Sequence, residues 1–245
     1  MTAARRIAVL GGAGGIGRAL VKALADSGDE VVVLDLAASL ERHAIDVPSI
    51  AIDVLSEASI GAAMRDVAGR FPALDGFVNL AGYNSRIQPL AETSSDYFDD
   101  VIAGNLRGAF LSTKAVMPLM AKGGSVVMVA SGLAQFVRPG YGSYAAAKAG
   151  VVALTKTFAH EWALTVRVNA VAPGLVDTAF LRGGTGRSNE NGESVVALDA
   201  YRNAIPMKRL AYPEDVVGPI RFLLGADSAY MTGQVLWVNG GGYMP

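Results

Sequence analysis

The sequence predicts a single α/β domain, doubly wound, with a parallel sheet of about seven strands and helices on both faces. Three observations carry that expectation. Short Val/Ile/Leu-rich runs alternate with longer helical stretches along the 245 residues, the pattern of repeated strand–helix–strand units. The strand runs are nearly continuous apolar segments, as strands covered on both faces are. No repeat or linker divides the chain, so one domain over 1–245 is the economical reading for this length.

In order along the chain, Ile-Ala-Val-Leu at 7–10 reads as the first strand, and a glycine cluster leads from it into a helix over 16–27. Strands follow at 30–34 and 49–52, with so little chain between them that any helix there is short or absent. A helix over 57–70, a strand at 76–79, a long helix over 95–121 and a strand at 125–130 continue the alternation. A helix over 142–163, strands at 167–171 and 235–238, and a helix over 213–224 complete it. One segment breaks the pattern. The polar, glycine-rich stretch at 183–193 reads as a mobile loop, and so late in an α/β sheet it predicts a substrate lid around 179–200.

Composition narrows the function. Apolar residues make up 51%, enough for a sizeable core, and 21 basic against 22 acidic residues leave a net charge of −1. Such a balance gives no footprint for nucleic acid or an anionic membrane surface. No apolar run approaches the roughly 18 residues of a membrane span. The opening residues lead straight into a strand without the apolar core of a signal peptide, so a cytoplasmic protein is expected. There is no cysteine, and the only histidines are His43 and His160. Thiolate metal sites and disulfides are therefore excluded, and no metal is expected.

The run from Ile7 through Gly17 places glycines between a strand and a helix, where backbone N–H groups can approach a pyrophosphate. Three registers fit the letters: Gly12, Gly14 and Gly17; Gly11, Gly14 and Gly17; or Gly11, Gly15 and Gly17. Asp35 closes the second strand, eighteen residues beyond Gly17. A carboxylate there can accept hydrogen bonds from the ribose hydroxyls of NAD and would repel the extra phosphate of NADP. Leu36, Ala37 and Ala38 follow it without a basic residue, so NAD is the expected cofactor.

Tyr144 and Lys148 stand four apart on a predicted helix, and Ser131 lies thirteen residues upstream. Positions i and i+4 share a helix face. An ammonium beside a phenol favours phenolate and is expected to draw the tyrosine below its ordinary pKa, toward acid–base use near neutrality. A serine hydroxyl alongside could hold the substrate oxygen.

These residues, in this order, resemble the short-chain dehydrogenase/reductase superfamily, in its branch of about 250 residues, across nearly the whole chain. Gly11, Gly15 and Gly17, with Gly14 and Ile16 between them, are similar to its TGxxxGxG loop. Asp53 and Val54 resemble the pair at the adenine; Asn79, Ala81 and Gly82 resemble the NNAG turn; Asn105 matches the asparagine of the active-site helix. Ser131, Tyr144 and Lys148 match the catalytic set. Pro173, Gly174, Val176 and Thr178 resemble the segment that meets the nicotinamide. Leu10 and Leu80 depart from the family, which has polar residues at both positions that tie the glycine loop to the fourth strand.

The resemblance implies a Rossmann-like domain and hydride exchange between NAD(H) and a secondary alcohol or ketone. Tyr144 would serve as general acid and base. Lys148 would tune it and hold a ribose, Ser131 would hold the substrate oxygen, and Asn105 would bind a water relaying protons to Lys148. Val176 and Thr178 would orient the carboxamide. A small-molecule partner and a homotetramer are implied as well. Reduction of 3-oxoacyl thioesters is common among such proteins. Arg138-Pro-Gly-Tyr-Gly-Ser-Tyr144, the lone serine of Val129-Ala-Ser131 and the short segment after Asp35 resemble dihydrodiol dehydrogenases of the 2,3-dihydro-2,3-dihydroxybenzoate type. Two other readings are a nucleotide-sugar epimerase, which needs a larger C-terminal domain, and an NAD-sensing scaffold, which typically lacks the tyrosine or lysine present here. The substrate pocket is expected to draw on 84–89, 132–139 and 179–198, including Leu133, Phe136, Val137, Phe180 and Leu181 with Arg86, Arg138 and Arg182.

Overall fold

A computed structural model describes residues 4–182, 186, 190 and 196–244. Its centre is a seven-stranded, all-parallel sheet in the order β3-β2-β1-β4-β5-β6-β7. The strands are β1 (Arg6–Leu10), β2 (Glu30–Asp35), β3 (Ser49–Ala51), β4 (Leu74–Asn79), β5 (Met120–Val129), β6 (Val166–Pro173) and β7 (Val235–Val238). The helices are α1 (Gly15–Ala25), α2 (Ala37–Arg42), α3 (Glu57–Arg70), α4 (Ser95–Ile102), α5 (Gly108–Val116), α6 (Gly142–Trp162), α7 (Leu198–Ala204) and α8 (Pro213–Leu224).

The two-residue side-chain period of a strand sorts the core into two layers. Ala8, Leu10, Val32, Leu34, Phe77, Val126 and Met128 pack with Ile60, Met64 and Val67 of α3, Leu111 of α5 and Val151 and Phe158 of α6. Ile7, Val9, Val31, Val33, Val78, Val127 and Val171 face the other way, against Leu20 and Leu24 of α1 and Val216, Ile220 and Leu223 of α8. Several of the helices are well started. Ser56 accepts the Ser59 N–H ahead of α3 and Ser94 the Tyr97 N–H ahead of α4, each satisfying an orphan donor of the first turn. Pro213 opens α8, where its missing N–H is no loss.

Expected and observed elements differ in three places. The helix predicted over 95–121 ends at Val116; a 3₁₀ turn, Met117–Leu119, follows, and β5 already begins at Met120. Its early residues pair with β4 through a register shift between Leu74 and Gly76. The apolar letters there suit either period. Second, α4 and α5 are joined by a π-helical turn, Ala103–Arg107. Third, α7 is a helix in a stretch where none was expected, whereas α2, of six residues, is the short helix expected after β2. Part of the lid predicted around 179–200 lies outside the described residues, namely 183–185, 187–189 and 191–195.

Strand order reverses between β1 and β4, because β1 leads outward to β2 and the chain returns to β4 on its other side. In open α/β sheets ligands bind at such a switch point, outside the carboxyl ends of the strands. The glycine loop after β1 and the turn after β4 both lie there.

Candidate active site

A cavity of about 280 Å³ opens at this switch point. Its walls include Gly11, Gly14, Gly15, Ile16, Gly17, Asp35, Val54, Ala81, Gly82, Ser131, Tyr144, Lys148, Pro173, Gly174, Val176 and Thr178, so residues spread over most of the chain converge on one space.

Sterics choose among the three glycine registers. Gly11 has φ +81°, and a Cβ on it would come within 3.0 Å of the Leu80 and Ala81 backbone. A Cβ on Gly15 would stand 2.6 Å from Thr178 Cγ2, and one on Gly17 only 2.2 Å from the Gly11 carbonyl oxygen. Gly14 differs: a Cβ there meets only the Gly11 carbonyl, at 3.4 Å. Gly12 is crowded as well, a Cβ there standing 2.8 Å from Val33 Cγ1, but both other registers need Gly14, so Gly11, Gly15 and Gly17 form the one register whose three positions all exclude a side chain. Gly14 caps α1 with no side-chain hydrogen bond, so the first N–H groups of this eleven-residue helix lack a side-chain cap where it borders the cavity. Free donors and a positive helix end suit a pyrophosphate.

Asp35 stands beside this loop. Its Oδ2 accepts from Ala13 N–H at 2.9 Å and its Oδ1 from Leu36 N–H at 2.8 Å. Burial raises its pKa above the usual carboxylate value, and those two bonds with Ser39 work against the rise. The residues at this end of the cavity therefore fit the adenosine ribose of a dinucleotide.

Leu10 and Leu80 do not pair as side chains. Leu10 belongs to one core layer and Leu80 packs against the other. The loop is tied to the sheet through backbone, with Leu80 N–H donating to Leu10 O and Gly11 N–H to Leu34 O, both at 2.8 Å. Asn79 shapes the turn: its Oδ1 accepts from Ala81 N–H at 3.2 Å, while its buried Nδ2 has no partner among the described residues. Leu10 is its register partner on β1 and offers no acceptor side chain. Asn79 and Asp53 are absent from the cavity wall, unlike Ala81, Gly82 and Val54. Asp53 instead closes a local turn, its Oδ1 accepting from Leu55 N–H at 3.0 Å.

Asn105 sits in the π-helical turn, fully buried. Its Nδ2 donates to Val101 O at 2.9 Å and to Tyr83 O at 2.7 Å, and its Oδ1 accepts from Tyr83 N–H at 3.0 Å. The i→i+5 pattern frees a carbonyl one turn back, which the amide satisfies. A Cβ on Gly82 would lie 2.5 Å from Asn105 Oδ1 and 3.1 Å from Lys148 Nζ, so a glycine lets both groups close on this turn. Tyr83 as the partner of Asn105 had no signal in the sequence.

Tyr144 and Lys148 share the first turns of α6, with Lys148 Nζ 5.6 Å from the Tyr144 ring centre and donating to Val129 O at 2.9 Å. The expected lowering of the Tyr144 pKa is not found in this arrangement. Burial pushes the phenol up, the Ser131 hydroxyl opposes it, and Lys148 is not among the causes. Burial pushes Lys148 down to about 8.

Of the residues expected at a substrate pocket, Asn84, Ile87, Leu133, Arg138, Phe180 and Leu181 line the cavity, together with Tyr141, Tyr201 and Tyr243. Tyr201 and Tyr243 come from α7 and the C-terminal tail, and no motif announced them. Phe136 stacks on Tyr243 instead of lining the cavity, and Val137 is exposed.

Fold and site together define a doubly wound α/β domain in which a glycine-loop cradle and a Ser–Tyr–Lys wall share one cavity. A family described as Enoyl-(Acyl carrier protein) reductase matches residues 11–243. The chain is 35% identical over 244 residues to a 3-oxoacyl-(acyl-carrier-protein) reductase of Thermotoga maritima, covering 95% of each chain. It is also 35% identical over 244 residues to an uncharacterized short-chain type dehydrogenase/reductase of Sinorhizobium fredii, covering 97% of this chain but 43% of that one. The crystal structure of a 3-ketoacyl-(acyl-carrier-protein) reductase from Brucella melitensis complexed with NADH superposes with a TM-score of 0.87 at 29% identity, over 98% of both chains. The chain belongs to the short-chain dehydrogenase/reductase family, and is an oxidoreductase of that family.

Proposed function

We propose that the protein is an NAD(H)-dependent oxidoreductase acting on a secondary alcohol or ketone, with Tyr144 as the proton donor and acceptor. The observation that carries this reading is the convergence of Ser131, Tyr144 and Lys148 on the cavity whose other end is the glycine loop and Asp35. Bound NAD(H) supplies or receives the hydride.

The chain's own residues do the rest. The N–H groups at the start of α1, from Gly15 through Gly17, hold phosphate oxygens. Asp35 accepts from ribose hydroxyls and opposes a 2′-phosphate, which favours NAD over NADP. Val54, with Asp53 behind it, borders the adenine; Ala81 and Gly82 border the ribose beyond it. Pro173, Gly174, Val176 and Thr178 form the edge facing the nicotinamide carboxamide. Ser131 holds the substrate oxygen while the Tyr144 phenol gives up its proton to it in reduction, and takes it back in oxidation. Lys148 holds the second ribose and keeps positive charge near the phenol. Asn105 positions the Gly82–Tyr83 turn against Lys148. The relay of protons by a water on Asn105 remains part of the proposal.

The strongly similar Thermotoga maritima protein favours 3-oxoacyl thioesters as a second reading of the substrate. A homotetramer, with one face at α4–α5 and α6, where Phe98 and Phe110 are exposed, and a second at the C-terminal strand and tail, is proposed for the assembly and checked by sedimentation at micromolar concentration. A monomer there would contradict it. A cytoplasmic setting and a lid around 179–200 complete the proposal.

The test is turnover of a panel of cyclic ketones and 3-oxoacyl thioesters with NADH and NADPH in parallel. Higher kcat/KM with NADH is expected. Higher kcat/KM with NADPH would overturn the cofactor assignment.

A further inference from the structure

Three arginines were candidates for the substrate pocket, and the structure separates them. Arg182 pairs with Asp177 at 3.2 Å. Arg86 lies over the Tyr97 ring at 5.0 Å and is not part of the cavity wall. Arg138 does line the cavity, with its guanidinium carbon 4.4 Å above the centre of the Tyr201 ring. No acidic side chain among the described residues pairs with it, whereas Arg5, Arg42, Arg107, Arg202 and Arg209 each have one.

The groups around Arg138 are phenols. Tyr141, Tyr201 and Tyr243 line the same cavity, and the Arg138 charge is felt at both Tyr141 and Tyr243. Tyr243 is carried there by a turn at Gly240 and Gly241, with φ of +63° and +81°, closed by Asn239 Nδ2 donating to Tyr243 O at 2.8 Å. Its ring stacks on Phe136 with centres 4.8 Å apart. A Cβ on Gly132 would fall 1.5 Å from its hydroxyl oxygen, so the phenol occupies the space beside the residue that follows Ser131. It therefore stands next to the Ser131–Tyr144 wall. Burial raises the pKa of Tyr141 and Tyr243, which keeps both as neutral hydrogen-bond donors.

We propose that Arg138 with the phenols of Tyr141, Tyr201 and Tyr243 forms an acid-recognising subsite, and that the substrate is a ketone or secondary alcohol carrying a carboxylate away from its reacting carbon. The identity of the reacting group rests on the oxidoreductase reading above; the anion preference rests on the cluster alone. A guanidinium fork matches a carboxylate bidentately, and the aromatic face beneath it holds the plane in place. A carboxylate brings one negative charge to one cation and several neutral donors. A phosphate, with a charge near −2, would leave one charge unbalanced there.

Calorimetric titration of NAD⁺-loaded protein, which has no hydride to give, with 4-oxocyclohexanecarboxylate and with its carboxamide tests this directly. The wild type should bind the carboxylate at least about tenfold more tightly, a preference that Arg138→Gln erases and Arg138→Lys retains in part. Equal affinities, no measurable carboxylate binding, or a preference that survives Arg138→Gln would each overturn the proposal. A matched 4-oxocyclohexyl phosphate that binds more tightly than the carboxylate would overturn the choice of carboxylate. Failure of the oxidoreductase reading has a separate signature, because it would appear as NADH binding and ligand preference without turnover of any ketone.

Discussion

The wall of the cavity built after β1 and β2 is mostly backbone, whereas the wall built after β5 and at the start of α6 is mostly side chain. In the first, Gly11, Gly15 and Gly17 bring peptide groups close to Leu80, Thr178 and one another, and one side chain, Asp35, stands among them. In the second, Ser131, Tyr144, Lys148, Arg138 and Tyr243 supply hydroxyls and charge. A backbone wall depends on excluding Cβ atoms, so its failures are steric and register as lost fold or lost cofactor binding. A side-chain wall depends on chemistry, so its failures register as lost turnover with the fold intact, joined at Lys148 by weaker cofactor binding. The contrast can be broken or sharpened by substitution.

The largest stability effect is expected at Gly17. Gly17→Ala places a Cβ 2.2 Å from a backbone oxygen that cannot rotate away, which should cost about 3 kcal/mol or more. For a domain of this size the melting temperature then falls by roughly 6 °C or more. Gly14→Ala meets only ordinary contact and should cost less than about 1 kcal/mol. Thermal melts that reverse this order would show the chosen glycine register to be wrong.

Lys148 provides an effect of opposite sign from the other wall. Its folded pKa of about 8 lies below its ordinary 10.5, so below pH 8 both states are protonated and the fold carries the whole burial penalty. Between about pH 8 and 10.5 the unfolded chain binds more protons, and stability rises with pH. Lys148→Met should therefore stabilise the cofactor-free protein at pH 7, by about 2 kcal/mol once the lost bond to Val129 O is offset against the relieved burial. That advantage should shrink as the pH rises toward 10, while NADH affinity falls at every pH. A variant that melts lower than wild type at pH 7 would show that the ammonium is better satisfied than its burial suggests.

At Asp35 the expected change is in selectivity. Asp35→Ser should raise the NADPH-to-NADH ratio of kcat/KM by roughly tenfold to a hundredfold, the range for removing one repulsive charge. An unchanged ratio would mean that another group reads the ribose.

The backbone wall was the more legible in sequence, up to a point. The glycine cluster announced a phosphate cradle, but its letters fit three registers, and only the neighbours brought by β2, β4 and Thr178 decide which glycines are required. The strand pattern located all seven strands because Val/Ile/Leu runs need no partner to be recognised. The boundary at Met120 was hidden because the apolar residues before it satisfy helix and strand alike. Of the side-chain wall, Ser131, Tyr144 and Lys148 were visible through spacing. Tyr201 and Tyr243 were not, since nothing local marks residues that reach the site only through α7 and a glycine turn. Arg138 was visible as a charge, but its difference from Arg182 lies in packing: among the described residues Arg182 has an acidic partner and Arg138 none. The direction of the Tyr144 pKa is hidden for a related reason: spacing shows that Lys148 is near, and only packing shows that the phenol is buried.

The account's central claim is that proton transfer rests on the Tyr144 phenol, which adds little to holding the cofactor. It is tested most directly by titrating Tyr144→Phe with NADH while measuring its turnover of a ketone that the wild type reduces. NADH affinity within about twofold of wild type, with kcat lower by about a thousandfold, is the predicted result. Retained turnover, or turnover and NADH affinity lost together, would contradict it.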